Sequence, residues 1–168
     1  MLVRLILAID NKPLQEFLEQ RFALADVWVE SWGSGRSPWQ KVIRSCGDII
    51  VISESYIPGP IETGISLLND LPENPTTVIL HDSASSEENA RLVAAGADVV
   101  LHSGISRKRM AEAIERIMES RQQLAEKGAF PVKERAKPKL EDFVFKSHAM
   151  RIFMQEVRQV IATSSPLL

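Results

Sequence analysis

Cysteine is almost absent from this chain of 168 residues, in which Cys46 stands alone. One thiol excludes an intrachain disulfide framework and a metal cluster built from cysteines. An excess of basic residues is missing as well. Twenty Lys and Arg against 22 Asp and Glu leave a formal net charge of −2, which does not favour direct nucleic-acid binding. Long apolar runs are also lacking. The run in Asp48-IIVI-Ser53 is typical, and a membrane-spanning helix needs about 20 apolar residues. The apolar N-terminus carries Arg4 inside it and no small-residue cleavage site, so it reads as a first strand and not a signal peptide. No glycine-rich phosphate loop follows a strand, and no Ser-His-Asp series comes with a nucleophile elbow. The expectation is a soluble, cytoplasmic protein that is not an enzyme and has no cofactor.

What is present is a regular alternation. With 45% hydrophobic and 25% charged residues, the chain suits one compact domain and a modest extension. Apolar strands are expected at Val3–Ile9, Asp26–Glu30, Asp48–Ser53, Thr76–His81 and Asp98–His102. Helical patterns separate them: Pro13 sits near the start of one, with Leu14, Phe17 and Leu18 on one face. Ser37-Pro38 is a cap-and-proline start for a helix through about Cys46, and another helix is expected from Ile61 to about Leu71. Ser85 or Ser86 caps the next, which has Glu87 and Glu88 in its first turn and ends at Ala95-Gly96. A last helix is expected from Ser106 to about Lys127. Five buried strands, each followed by a helix, call for an α/β doubly wound parallel sheet of flavodoxin-like order 2-1-3-4-5.

The character changes after the sheet domain, 1–127. Residues 128–142 mix prolines and charges without a period and read as an extended linker. In 143–168, Ser147 caps a short helix in which Met150, Phe153, Met154, Val157 and Ile161 recur at helical spacing. So apolar a short segment has too little to pack on, and is expected to open a further domain.

In a parallel sheet of this kind, ligands bind beyond the carboxyl ends of the strands. Those ends carry Asp10-Asn11, Ser53-Glu54, His81-Asp82 and His102-Ser103. His81, His102 and Asp82 form a usable metal-ligand set, but the plainer reading is polar residues that end strands, and no metal is expected. Cys46 reads as a small packing residue, and Trp28, Trp32 and Trp39 as packing or partner-surface residues.

Several of these segments together resemble response-regulator receiver domains. The first strand and acidic turn lie in Ile6-LAIDNK-Pro13, the third strand and its loop in Asp48-IIVISESYIP-Gly59. The third helix matches at Gly64–Leu68, and the fourth helix with the fifth strand at Arg91–Gly104. The resemblance implies that a phosphorylation pocket has degenerated. Of the acidic pair at the first turn only Asp10 is acidic, with Asn11 in the metal-ligating place. The phosphoacceptor aspartate falls on Ser53 counted along the strand, or on Glu54 counted back from Pro58. Glu54 is then either a permanently charged stand-in or a solvated carboxylate. The hydroxyl residue after the fourth strand falls on His81, and the lysine after the fifth falls on Ser103.

The last helix has Met110, Ile114, Ile117, Arg121 and Leu124 at alternating four- and three-residue steps. Such a seam packs on the sheet, or forms a homodimer contact through Met110, Ile114, Ile117 and Leu124 that continues as a signalling linker. The tail adds a second resemblance. Ser147-His148-Ala149-Met150, followed by a helix and Ser165-PL-Leu168, is similar to the opening of the AAA+ domain of NtrC-family, sigma-54-dependent activators. It implies a regulatory domain that controls assembly of an AAA+ ATPase by dimerisation or partner binding. The partners in a full-length protein would be the AAA+ and DNA-binding domains and sigma-54 RNA polymerase. The rival expectation is a flavodoxin-like small-molecule or metal binder, or an enzyme, using Asp10, Glu54, His81 and His102.

Overall fold

Strand β1, Val3–Ala8, opens the alternation that the sequence predicts. The computed structural model describes residues 2–33, 37–83 and 85–126. The linker expected at 128–142 and the tail at 143–168 lie outside the described residues. After β1 come α1 (Lys12–Phe22), β2 (Val27–Ser31), α2 (Pro38–Val42) and β3 (Ile49–Ser53). A 3₁₀ turn, Glu54–Tyr56, leads to α3 (Ile61–Asn69), β4 (Thr76–His81), α4 (Ser86–Ala94), β5 (Val99–His102) and α5 (Arg107–Glu126).

The five strands form one sheet in the order β2-β1-β3-β4-β5, all parallel, as the βα rhythm predicts. Leu5 lies opposite Val29 on one side and Ile49 on the other, and Val78 lies between Val51 and Val99. Unbroken apolar strands follow from helices on both faces, because successive side chains point to opposite sides. Leu5, Leu7, Val51 and Leu80 meet Leu14, Leu18 and Phe22 of α1 and Met110 and Ile114 of α5. Ile6, Ala8, Ile50, Ile52 and Ile79 meet Val42, Ile61, Ile65, Leu68 and Leu92 from α2, α3 and α4.

Helix ends show where local signals held and where packing overrode them. Asn11 Oδ1 accepts the Leu14 N–H at 3.0 Å, so the acidic-turn residue is the N-cap of α1. Ser37 does not cap: its φ of 56° is left-handed and its side chain makes no cap hydrogen bond. Helix α2 also stops at Val42, short of the expected Cys46, because the Arg44 and Ser45 N–H groups turn to carbonyls three residues back. Gly47 follows, in a place where a Cβ would lie 2.5 Å from Ile6 Cγ1. Gly96 ends α4 as expected, with φ +106° and its carbonyl accepting Asn69 Nδ2 at 2.9 Å.

The seam expected on α5 is corrected by its burial. Met110 and Ile114 are fully buried against the sheet and are unavailable to a second chain. Ile117 and Leu124 stay partly exposed. Arg121, which interrupts the seam, turns inward: its guanidinium donates to the carbonyls of Asn74 (3.0 Å) and Glu73 (3.2 Å) and to Thr76 Oγ1 (3.1 Å). A core position and an association seam answer differently to truncation. Ile114→Ala should lower unfolding free energy by about 2–5 kcal/mol in a urea titration. It should leave the oligomeric state of the folded protein, read by light scattering, unchanged.

Candidate functional site

The carboxyl ends of β1, β3, β4 and β5 converge on one cleft of about 460 Å³. Asp10, Ser53, Glu54, Ser55, His81, Asp82, Ser83, Glu88 and Ser103 line it with Leu80. The sheet generates this gathering. Strands β3, β4 and β5 run apolar into a polar last residue, Ser53, His81 and His102, and Asp10 follows β1, so these polar groups collect at one edge.

Ser53 is the last residue of β3 and is only 3% exposed. Its hydroxyl donates to Asp10 Oδ1 at 2.9 Å and accepts the Asp10 N–H at 3.1 Å, closing a two-bond ring between the ends of β1 and β3. The 3₁₀ turn then brings Ser55 back, and its hydroxyl donates to Asp10 Oδ2 at 2.6 Å. Ser53 is therefore the β3 residue in contact with Asp10, whereas Glu54 opens the turn at the cleft's side. Across the cleft Ser103 Oγ donates to Asp82 Oδ1. Burial first, and the Asp10 carboxylate second, push the nearby Tyr56 phenol above its ordinary pKa.

Of the residues proposed from sequence, Asp10, Ser53, Glu54, His81 and Ser103 share this cleft. Asn11 does not line it, since its side chain is taken up by the Leu14 N–H. His102 lies behind the lining. Its Nδ1 accepts the Gly104 N–H at 3.0 Å, which leaves the proton on Nε2, 3.0 Å from the Asp82 carbonyl oxygen. Both ring nitrogens are thus occupied, and the His81, His102 and Asp82 ligand set is not assembled. Among the described residues no three His, Cys, Asp or Glu side chains gather to hold a metal ion. His81 is 2% exposed, meets the His102 ring edge to face at 6.1 Å, and has no hydrogen-bond partner at either nitrogen among the described residues.

Ser55 and Glu88 were not legible as site residues. Ser55 reaches Asp10 only through the 3₁₀ turn, and Glu88 lies in the first turn of α4, where acids are common for helix reasons alone. One other expectation changes. Cys46 is exposed and not a packing residue, and a hydrogen bond with Glu73 pushes its thiol above the ordinary value. Trp32 and Trp39 pack against the core on the α2 side, while Trp28 is 57% exposed, with its Nε1 donating to Glu30 at 3.0 Å.

No helix among the described residues is long and apolar enough to cross a membrane. No protein-family model matches the chain, and no curated protein matches it. Solved structures do. A CheY-like response regulator receiver domain protein from Methanospirillum hungatei superposes with a TM-score of 0.59 at 14% identity, over 73% of this chain and 98% of that one. The receiver domain of a putative Luxo repressor from Vibrio parahaemolyticus gives 0.58 at 17% identity, over 73% and 95%. A streptococcal redox sensor, from a family evolved from two-component response regulators, gives 0.60 at 14% identity, over 74% and 54%. The chain therefore has the fold of response-regulator receiver domains.

Tyr56 is the only tyrosine, so ultraviolet absorbance reports its phenolate without interference from another. Its titration midpoint should lie above the ordinary tyrosine value. Asp10→Asn should move the midpoint down, because the carboxylate opposes formation of a second negative charge. It should stay above the ordinary value, since burial is the larger cause.

Proposed function

We propose that this chain is a signalling domain of receiver type that works without aspartyl phosphorylation. Within that reading, it is the regulatory region of an NtrC-like, sigma-54-dependent transcription activator. The observation that carries the proposal is Ser53 at the tip of β3, hydrogen-bonded to Asp10 on both its donor and acceptor sides. An acyl phosphate forms on a carboxylate, and Ser53 offers a hydroxyl. The cleft also brings Asp10, Glu54, Asp82 and Glu88 together, with no Lys or Arg among its lining residues. A phosphoryl dianion entering it would meet carboxylates and no compensating cation.

The output on this reading is protein contact. Strand β5 is at the sheet edge and only partly buried, and Val93 on α4 is 55% exposed. The face formed by α4, β5 and α5 is accordingly the regulatory surface, and a partner there shifts the population of assembly states. Ile117 and Leu124 line a groove of about 330 Å³ with Val99, Arg116 and Arg121, where a homodimer contact can still form. The sequence similarity at 143–168 supports an AAA+ domain as the element controlled, with sigma-54 RNA polymerase beyond it.

Incubating the protein with acetyl phosphate and magnesium tests the central claim by intact mass. The expected result is no phosphoryl adduct; stoichiometric labelling at Ser53 or Glu54 would overturn the proposal. Light scattering tests the contact separately. The chain should be a dimer, and Leu124→Lys should convert it to a monomer with an unchanged melting temperature.

A further inference from the structure

The two halves of α5 are attached to the domain by different means. Met110, Ala111, Ile114 and Met118 sink into the core, and the buried apolar contacts of the helix stop there. From Glu119 to Glu126 the only large apolar residue is Leu124. Leu124 and Ser120 line the groove of about 330 Å³ with Ile117 and with Val99 of β5, so this stretch stands off the sheet edge instead of filling it.

Arg121 supplies what packing does not. Its side chain is 11% exposed, and its guanidinium donates to the carbonyls of Glu73 and Asn74 and to Thr76 Oγ1, with the Asp48 carboxylate 3.8 Å away. One side chain thus ties the end of the helix to the β3–β4 connection. Two details make the tie releasable. Arg121 Nε is buried with no hydrogen-bond partner among the described residues, a cost that contact with water removes. Asn74, whose carbonyl the guanidinium holds, sits at φ 47°, a left-handed conformation that residues with a Cβ adopt sparingly.

We propose that Arg121 is a releasable latch on the end of α5. Closed, it holds 119–126 against the β3–β4 connection. Open, these turns pivot after Met118 and swing off the sheet as an intact helix, which uncovers Thr76, Val99 and Ile117 at the groove. The core is untouched, because the residues that fill it precede the pivot. A partner that touches the uncovered face binds the open state better and shifts the population toward it. That use of the latch deepens the reading of α4, β5 and α5 as the regulatory surface and rests on it, whereas the latch itself does not.

Relaxation-dispersion NMR on the full chain tests the two states. In the unaltered chain, exchange on the microsecond-to-millisecond timescale is expected at the amides of Ser120, Gln123 and Leu124 and of Glu73, Asn74 and Thr76, and not in β1 or β3. The minor state should be populated at roughly 1–10%. Arg121→Met keeps an aliphatic stem and helix propensity but removes every donor. Its ground-state shifts at those amides should match the minor-state shifts of the unaltered chain, with helical Cα shifts kept over 119–126. Arg121→Lys lacks the planar fork, should fall between the two, and supplies the comparison if Arg121→Met does not fold. Absence of exchange, minor-state shifts unlike those of the variants, or loss of helical shifts over 119–126 would overturn the inference. The same exchange is expected in Leu124→Lys, and its loss there would assign it to association between chains and overturn the latch. A monomer in light scattering would instead remove the assembly reading and leave the exchange in place, so the two failures are separable.

Discussion

A parallel sheet covered on both faces leaves its strands no place for a polar side chain except at their ends, and this constraint shapes the rest of the molecule. Strand β3 shows it most plainly, since all five of its residues are buried. Ile49 and Val51 serve one face and Ile50 and Ile52 the other, while Ser53 arrives at the edge still almost without solvent. A buried hydroxyl has to be paired. Asp10, just past the end of the neighbouring strand, pairs it as donor and acceptor together, and this two-bond ring anchors the cleft.

The opposite edge of the sheet uses its charges differently. Asp48 Oδ2 accepts the Arg4 N–H at 2.9 Å, and Asp98 Oδ2 accepts the Thr77 N–H at 2.8 Å and the Thr77 hydroxyl at 3.0 Å. Arg121 adds a guanidinium spread over two carbonyls and a hydroxyl, with the Asp48 carboxylate 3.8 Å away. There acids and a base satisfy backbone ends and each other, so the amino-terminal edge is a fastening. At the carboxyl-terminal edge the carboxylates meet only hydroxyls.

The same contrast explains how the long helix is used. Its four-and-three spacing is ambiguous in one dimension, because a stripe that covers a sheet and a stripe that covers another helix have nearly the same period. The sheet claims Met110, Ala111, Ile114 and Met118. Arg121, which looks like a break in an intermolecular seam, closes the stripe against the β3–β4 connection. Only Ile117 and Leu124, set beside β5, keep surface for another molecule.

The order of elements, the parallel sheet and the set of strand ends were all legible in the chain, because period-two burial and turn chemistry are local properties. The residue types at the strand ends, Asn11 after the first strand and Ser103 after the fifth, were legible too, at known places in the rhythm. What the sequence left open was which residue of Ser53 and Glu54 touches Asp10. One residue of slip along a strand reverses a side chain, and only the register of β1 against β3 with the turn after it decides that. Tertiary structure alone also brought Ser55 to Asp10, drew His102 away from a metal set into local hydrogen bonds, and left His81 buried without a hydrogen-bond partner among the described residues. Pairing and burial depend on what lies opposite, and residues 43 or 45 positions apart carry no mutual signal in one dimension.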